Sequence, residues 1–332
     1  MRMKEKAENR LFSIIVPVYN VECYVGKCLA SIFEQGLNPD LYEVIVVDDG
    51  TKDNSMNIVH QFNVKYANLH IIRQKNSGAS IARNVGMAKA KGKYVTFIDA
   101  DDWIVPGSLE EISKVLSLHD SLDMLIVRSQ GEDGREHFPW EATCESGKVY
   151  SGVDAFRRGF HRGSVWGGFY NTDMLACHGI SFPQEIRNGE DCIFFNLALV
   201  YTERLLFMDE PFYMVFEREG SASRAFEIKH LHLMSRSFDV VNQIRVERSP
   251  DLQPVQRDML SELLYSLVWT VTFLSISVGR LPLATVKRHV QIEKYLPIRF
   301  ETVKENWKLR LLNTSYSFYY WLMKLKLHLL SW

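Results

Sequence analysis

The chain has no Cys-x-x-Cys pair, and its five cysteines (Cys23, Cys28, Cys144, Cys177, Cys192) are odd in number. That pattern argues against a disulfide framework or a zinc site and fits a reducing cytosol. Met1 to Arg10 is polar and charged without an apolar segment, so no secretory signal is expected there. Internal repeats and low-complexity tracts are missing as well. Neither charge sign dominates, since the formal net charge is −1. The sum hides an uneven spread. Residues 280–332 carry ten Lys/Arg against three Glu, which leaves −8 on the residues before them. A basic tail on an acidic body points to an anionic surface as partner. The tail shows no nucleic-acid motif, and its apolar content favours lipid.

What is present is ordinary globular composition, 46% hydrophobic and 24% charged over 332 residues. That is enough for one large domain with an appendage, or for two domains. The first half alternates strand and helix patterns. Phe12 to Val18, Glu43 to Asp48, Leu69 to Arg73 and Tyr94 to Ile98 read as apolar, β-branched strands. Between them, 21–35, Asp53 to Tyr66, and Gly78 to Lys91 closed by Gly92 carry apolar residues at helical spacing. Ser108-Leu109-Glu110-Glu111 reads as a capping box opening a further helix, and Leu122 to Val127 as another strand. Residues 129–180 look irregular and aromatic-rich, the pattern after Glu190-Asp191 is helical, and the chain reads as helices from about 225 onward.

Strands alternating with helices of this length predict an α/β fold with a mostly parallel, Rossmann-like sheet covered by helices on both faces. Ligands of such sheets bind beyond the carboxyl ends of the strands. The notable polar residues fall there: Tyr19 and Asn20, then Asp48 and Asp49, then Asp99 and Asp101. The segment Phe97-Ile98-Asp99-Ala100-Asp101-Asp102 sets three carboxylates within four residues after a buried strand. Oxygen ligands in this arrangement suit magnesium or manganese, which take one or two protein carboxylates and complete their shell with substrate phosphates.

Five segments, in order and spacing, resemble the family-2 inverting glycosyltransferases of the GT-A fold, of bacterial surface-polysaccharide type. They are Ser13 to Asn20, Val47 to Asp53, Asn76 to Gly86, Phe97 to Asp102 and Asn188 to Asp191. The resemblance implies a domain over 11–225, with a nucleotide-binding half at 11–128 and an acceptor half at 129–225. A polar tail, 1–10, precedes it and a helical C-terminal extension, 226–332, follows. By the same resemblance Pro17 and Tyr19 flank the nucleotide base, Asp49 accepts its ring N–H, and Arg83 reaches the base or diphosphate. Asp99 contacts ribose or sugar, Asp101 coordinates Mn2+ or Mg2+, and Asp191 is the catalytic base. Glu190, Arg218 and Ser221 would lie near the diphosphate or support the site. The implied activity is metal-dependent, inverting, non-processive transfer of one sugar from a nucleotide-sugar donor, with UDP preferred. The implied acceptor is a carbohydrate, a lipid-linked glycan in capsule, O-antigen or exopolysaccharide assembly. The implied setting is the cytoplasm, peripheral on the inner membrane face.

Departures bear on this. Gly168 stands where many bacterial relatives carry a lysine two residues after Trp166, and the QxxRW signature of processive synthases is missing. A catalytically silent nucleotide-sugar-binding scaffold is one rival, although the chain keeps Asp101 and Asp191. A sugar-1-phosphate nucleotidyltransferase is another; it wants a Gly-rich basic loop after the first strand, where Val18-Tyr19-Asn20-Val21-Glu22 stands instead. Asp48 reads equally as a turn residue, Asp191 also as a helix-start acid favoured by the macrodipole, and Arg218 equally as a surface residue. Residues 263–279 read as a buried amphipathic helix. Residues 307–332 mix aromatics with lysines as an interfacial helix does, predicting peripheral contact with an anionic membrane.

Overall fold

The computed structural model describes residues 10–131, 134, 144–160, 163–184, 186, 189–216 and 228–330. The chain divides into two compact units, Met1–Phe182 with Tyr201–Glu217, and Pro183–Val200 with Arg218–Trp332.

The first unit runs β1 (Phe12–Val18), α1 (Val25–Phe33), β2 (Tyr42–Asp48), α2 (Ser55–Lys65), β3 (Leu69–Arg73), α3 (Ala79–Met87) and β4 (Tyr94–Phe97). It continues with β5 (Trp103–Ile104), α4 (Ser108–Leu118), β6 (Met124–Gly131), β7 (Val149–Tyr150), α5 (Gly152–Arg157), β8 (Gly168–Asn171) and α6 (Thr172–Cys177). After α7 (Glu190–Tyr201), which falls almost wholly in the second unit, β9 (Leu205–Val215) completes its sheet.

The strands form one sheet in the order β3-β2-β1-β4-β8-β6-β9-β5, with β7 also on β9. β3, β2, β1 and β4 are parallel. β8 runs antiparallel to β4 and β6, β6 pairs β9 in parallel, and β5 and β7 pair β9 antiparallel. The expected α/β fold is present, parallel through its first half and mixed beyond. β1 and β2 are apolar almost throughout because helices cover both faces, so they show no alternation. Two polar exceptions before the strand ends, Ser13 and Glu43, satisfy each other at 2.6 Å, and Glu43 also accepts the Lys91 N–H at 2.7 Å.

Two local expectations change. Ser108 is not a helix cap. Gly107, at φ +78°, precedes α4, and the Ser108 hydroxyl donates to the Val105 carbonyl at 2.6 Å. Gly92 does not close a helix either, since α3 ends at Met87. A side chain at Gly92 would stand 2.5 Å from the backbone of Phe12 and Ser13, so the residue is glycine for close strand contact. Residues 129–180, expected to be irregular, hold the end of β6, β7, α5, β8 and α6.

The second unit is helical. With α7 it contains α8 (Ile228–Arg248), α9 (Pro254–Ser277), α10 (Leu283–Val290), α11 (Trp307–Thr314) and α12 (Tyr316–Leu330). The stretch expected to be a buried helix lies in α9, where Leu260, Leu264, Val268 and Val271 are fully buried. Asp258, also buried, is saturated by N–H donors from Glu301, Thr302 and Val303 and by the Thr302 hydroxyl, at 2.6–3.0 Å. Residues 307–332 are not one helix. An extended Ser315 breaks them into α11 and α12.

Candidate active site

Parallel register fixes the site. β1 pairs with β2 up to Val18 opposite Asp48, and with β4 up to Ile15 opposite Phe97. Two further backbone bonds, Asp49 N–H to Val18 (2.9 Å) and Ile98 N–H to Ile15 (3.0 Å), carry the pairing past the strand ends. The segments 17–20, 48–51 and 98–101 therefore emerge at one edge of the sheet. Pro17 is half-buried there and Tyr19 exposed. Asn20 adopts φ +52°, a conformation asparagine tolerates. Its side chain accepts the Lys52 N–H at 3.0 Å and so ties the first turn to the second.

The two acids after β2 divide their work. Asp48 accepts the Thr51 N–H and the Arg73 guanidinium, each at 2.8 Å, so it holds the turn. Asp49 is buried and accepts from Gln74 Nε2 (2.8 Å), Ser77 N–H (2.7 Å) and Gly78 N–H (2.9 Å). It pins the loop that leads into α3. Arg83, buried on α3, donates to Asp99 Oδ1 at 2.8 Å and lies 5.3 Å over the Phe182 ring. Arg83 and Asp99, expected as separate contacts to the donor, are thus one ion pair.

Asp102 was not among the expected site residues, yet it organises the acidic loop. Tyr213 on β9 donates to Asp102 Oδ2 at 2.7 Å, the Phe216 N–H donates to Oδ1 at 2.7 Å, and the Asp99 N–H donates to the Tyr213 oxygen at 3.0 Å. Burial pushes the Asp102 carboxyl up to about 8, with the neighbouring Asp99 charge second, against the lowering effect of its two donors. Trp166 stacks on Tyr213, ring centres 5.0 Å apart, and keeps its hydroxyl on the loop. The acidic triplet signalled Asp102. Nothing local signalled Tyr213, 111 residues away.

Asp101, half-buried, stands between Asp99 and Asp102. Among the described residues no group of three or more His, Cys, Asp or Glu is placed to hold a metal ion. An oxygen-only donor set of one or two carboxylates still fits a hard divalent cation that takes its other ligands from phosphate and water. Gly168 begins β8, and a side chain there would meet the Tyr170 hydroxyl at 2.5 Å. That hydroxyl is committed to the Val165 carbonyl at 3.0 Å, so the aromatic ring occupies the space a lysine would need.

Glu190 and Asp191 open α7 in the second unit, both half-buried. Carboxylates in a first turn are favoured by the helix dipole. Arg218 and Ser221 lie outside the described residues.

With this geometry in place, the comparisons with known proteins decide the family. The family model for glycosyl transferase family 2 matches residues 13–174. Residues 13–174 are a glycosyltransferase family 2 domain. It is 31% identical over 232 residues to glycosyltransferase GlyA of Streptococcus pneumoniae, covering 67% of this chain and 33% of GlyA. It is 28% identical over 262 residues to the poly(ribitol-phosphate) β-N-acetylglucosaminyltransferase TarS of Staphylococcus aureus, covering 75% of this chain and 42% of TarS. The chain thus spans a third to two-fifths of the length of these relatives. The crystal structure of TarS 1–349 with UDP-GlcNAc superposes with a TM-score of 0.72 at 27% identity, covering 85% of this chain and 79% of that one. The likeness to the TarS fold therefore covers more of the chain than the matched 13–174.

Proposed function

We propose that this family 2 chain transfers a single sugar from a UDP-sugar to a carbohydrate acceptor in the assembly of a bacterial surface polymer, with inversion at the anomeric carbon. The observation that carries the reading is the convergence of three parallel strand ends, which brings Tyr19, Asp49 and the Arg83–Asp99 pair to one edge beside Asp101. Pro17 and Tyr19 flank the base. Asp49 offers about four acceptor positions and three are taken within the chain, so one remains for the ring N–H of uracil. That bond is charge-assisted and selects the base. The buried Arg83 fixes Asp99 toward ribose and sugar. UDP as the nucleotide is supported by the UDP-GlcNAc bound to TarS.

Asp101 would hold Mn2+ or Mg2+, which when bound offsets negative charge on the departing diphosphate. Asp191 is the base. It takes the proton of the acceptor hydroxyl as that oxygen attacks the anomeric carbon, and the bond to UDP breaks on the opposite face. One displacement inverts the centre without a covalent intermediate. A lipid-linked glycan is the acceptor, and peripheral attachment to the cytosolic membrane face belongs to the same reading because such an acceptor is confined there.

The test is a panel of nucleotide-sugars assayed for hydrolysis and transfer with manganese, magnesium or chelator. UDP-sugars with manganese or magnesium are expected to react and chelated enzyme is not. Asp191→Asn should lose transfer by at least about a hundredfold, the lower range for a general base, while UDP binding by calorimetry stays intact. Unchanged turnover in Asp191→Asn would remove it as the base.

A further inference from the structure

α12 is apolar on two opposite faces, and only one of them is used. Tyr316, Tyr319, Tyr320 and Met323 recur at spacings of three and four and are buried. The Tyr320 hydroxyl donates to the Leu281 carbonyl at 2.5 Å, the Tyr316 hydroxyl meets Thr272 at 3.2 Å, and Ser317 accepts from Lys287 at 3.0 Å. These bonds lock the helix onto α9, α10 and the turn between them. On the opposite side Phe318, Trp321 and Leu325, again three and four apart, are 59%, 56% and 55% exposed. Exposed large apolar side chains in a contiguous stripe mark an interaction surface.

Cations flank this stripe. Lys324 and Lys326 are exposed on either side of it, and the Lys324 ammonium lies 5.1 Å from the Trp321 ring centre. Beside it Ile276, Arg280, Trp321, Lys324, Leu325 and His328 line a groove of about 660 Å³. No Asp or Glu occurs between residues 306 and 332. A protein partner of ordinary surface would supply both charge signs. A surface that is apolar at its centre, cationic at its rim and free of acids complements an anionic lipid headgroup layer.

We propose that the outward face of α12, with its adjoining groove, docks onto an anionic bilayer. Phe318, Trp321 and Leu325 enter the boundary between headgroups and acyl chains, while Arg280, Lys324 and Lys326 meet lipid phosphates. This deepens the peripheral attachment proposed above and rests on it. The sugar-transfer chemistry is independent of it.

The test is flotation of the full chain with vesicles of phosphatidylglycerol or of phosphatidylcholine. Binding is expected to the anionic vesicles only. Phe318→Ser/Trp321→Ser/Leu325→Ser should lower partitioning by at least about tenfold, as removal of buried apolar area requires. Arg280→Glu/Lys324→Glu should lower it by about fivefold or more per cation and flatten its salt dependence. All five positions are exposed, so circular dichroism and donor hydrolysis in detergent-free buffer should match wild type in both variants. If the wild-type chain fails to float on anionic vesicles, peripheral attachment itself is wrong. Should the wild type float and the triple variant float equally well, attachment stands and the α12 face does not carry it. A wild-type dimer that the triple variant dissociates, with no lipid binding by either, would make the face a contact between two copies and overturn the proposal.

Discussion

At the residue scale the acidic loop depends on a hydroxyl that donates to one carboxylate and accepts from the next backbone amide. Tyr213→Phe keeps the stack on Trp166 but strips a donor from Asp102 and an acceptor from the Asp99 N–H. Both orphaned groups sit in or beside the interior, so the expected cost is about 1–3 kcal/mol in denaturant unfolding with an unchanged slope. Turnover is expected to fall with it, because the loop holds both Asp101, the proposed metal ligand, and Asp99, the proposed contact to the donor. A loss below about 0.5 kcal/mol, smaller than one ordinary hydrogen bond, would mean the pair is not formed. The thiols offer a second residue-scale check. Cys23 and Cys177 are exposed, whereas Cys28 and Cys144 are buried. Burial raises the Cys28 thiol well above its ordinary range, with Asp102, Asp101 and Asp99 adding to it, and pushes Cys192 up to about 12. A raised thiol pKa means less reactive thiolate at any pH below it. An aromatic disulfide reagent at mildly alkaline pH should therefore titrate Cys23 and Cys177 quickly, Cys192 more slowly, and Cys28 and Cys144 only on unfolding. Peptide mapping that finds Cys28 or Cys192 labelled in the first phase would contradict the packing.

At the element scale, β1 must lie close against the chain entering β4, and Gly92 permits it. Gly92→Ala would drive a methyl group into the backbone of Phe12 and Ser13, neither of which can rotate away. The expected destabilisation is about 3 kcal/mol, read as a lowered denaturation midpoint; a change within error would show that the two segments separate easily. β1, β2 and β4 were legible in the sequence because strands buried on both faces leave unbroken apolar, β-branched runs, and the edge strand β3 by its short Leu69–Ile72 run. The acids at their ends were legible for a related reason, since charge directly after such a run has nowhere to point but the sheet edge. β5, β7 and β8 span two to four residues and offer no period to detect. The Ser108 box failed because a left-handed Gly107 starts the helix by backbone geometry alone. Tyr213 was illegible because its partner, Asp102, is brought to it only by the pairing of β5 with β9. The place of Asp191 in a helix that groups with the C-terminal half is likewise a tertiary fact, invisible to local pattern.

At the scale of the whole molecule, the positive charge of residues 280–332 opposes the negative charge of the remainder. A cationic segment of this kind is attracted to an anionic surface over roughly a Debye length of about 10 Å at moderate salt. α9 presents the competing possibility. It is the single described helix long and apolar enough to cross a membrane by length and composition. More than half of its most apolar window is buried, Asp258 near the start of the helix is bound by four donors, and its Thr272 meets Tyr316 of α12. To enter a bilayer the helix would have to leave these partners and carry a carboxylate with it, at a cost of about 3 kcal/mol or more for the charge alone. α9 is therefore a core helix, and the attachment proposed through α12 would be interfacial. Membranes from cells expressing the chain should release it on washing with alkaline carbonate, and high salt should release part of it, because screening weakens only the cationic share of the contact. Retention in the pellet after carbonate would mean that α9 has left the second unit and spans the bilayer.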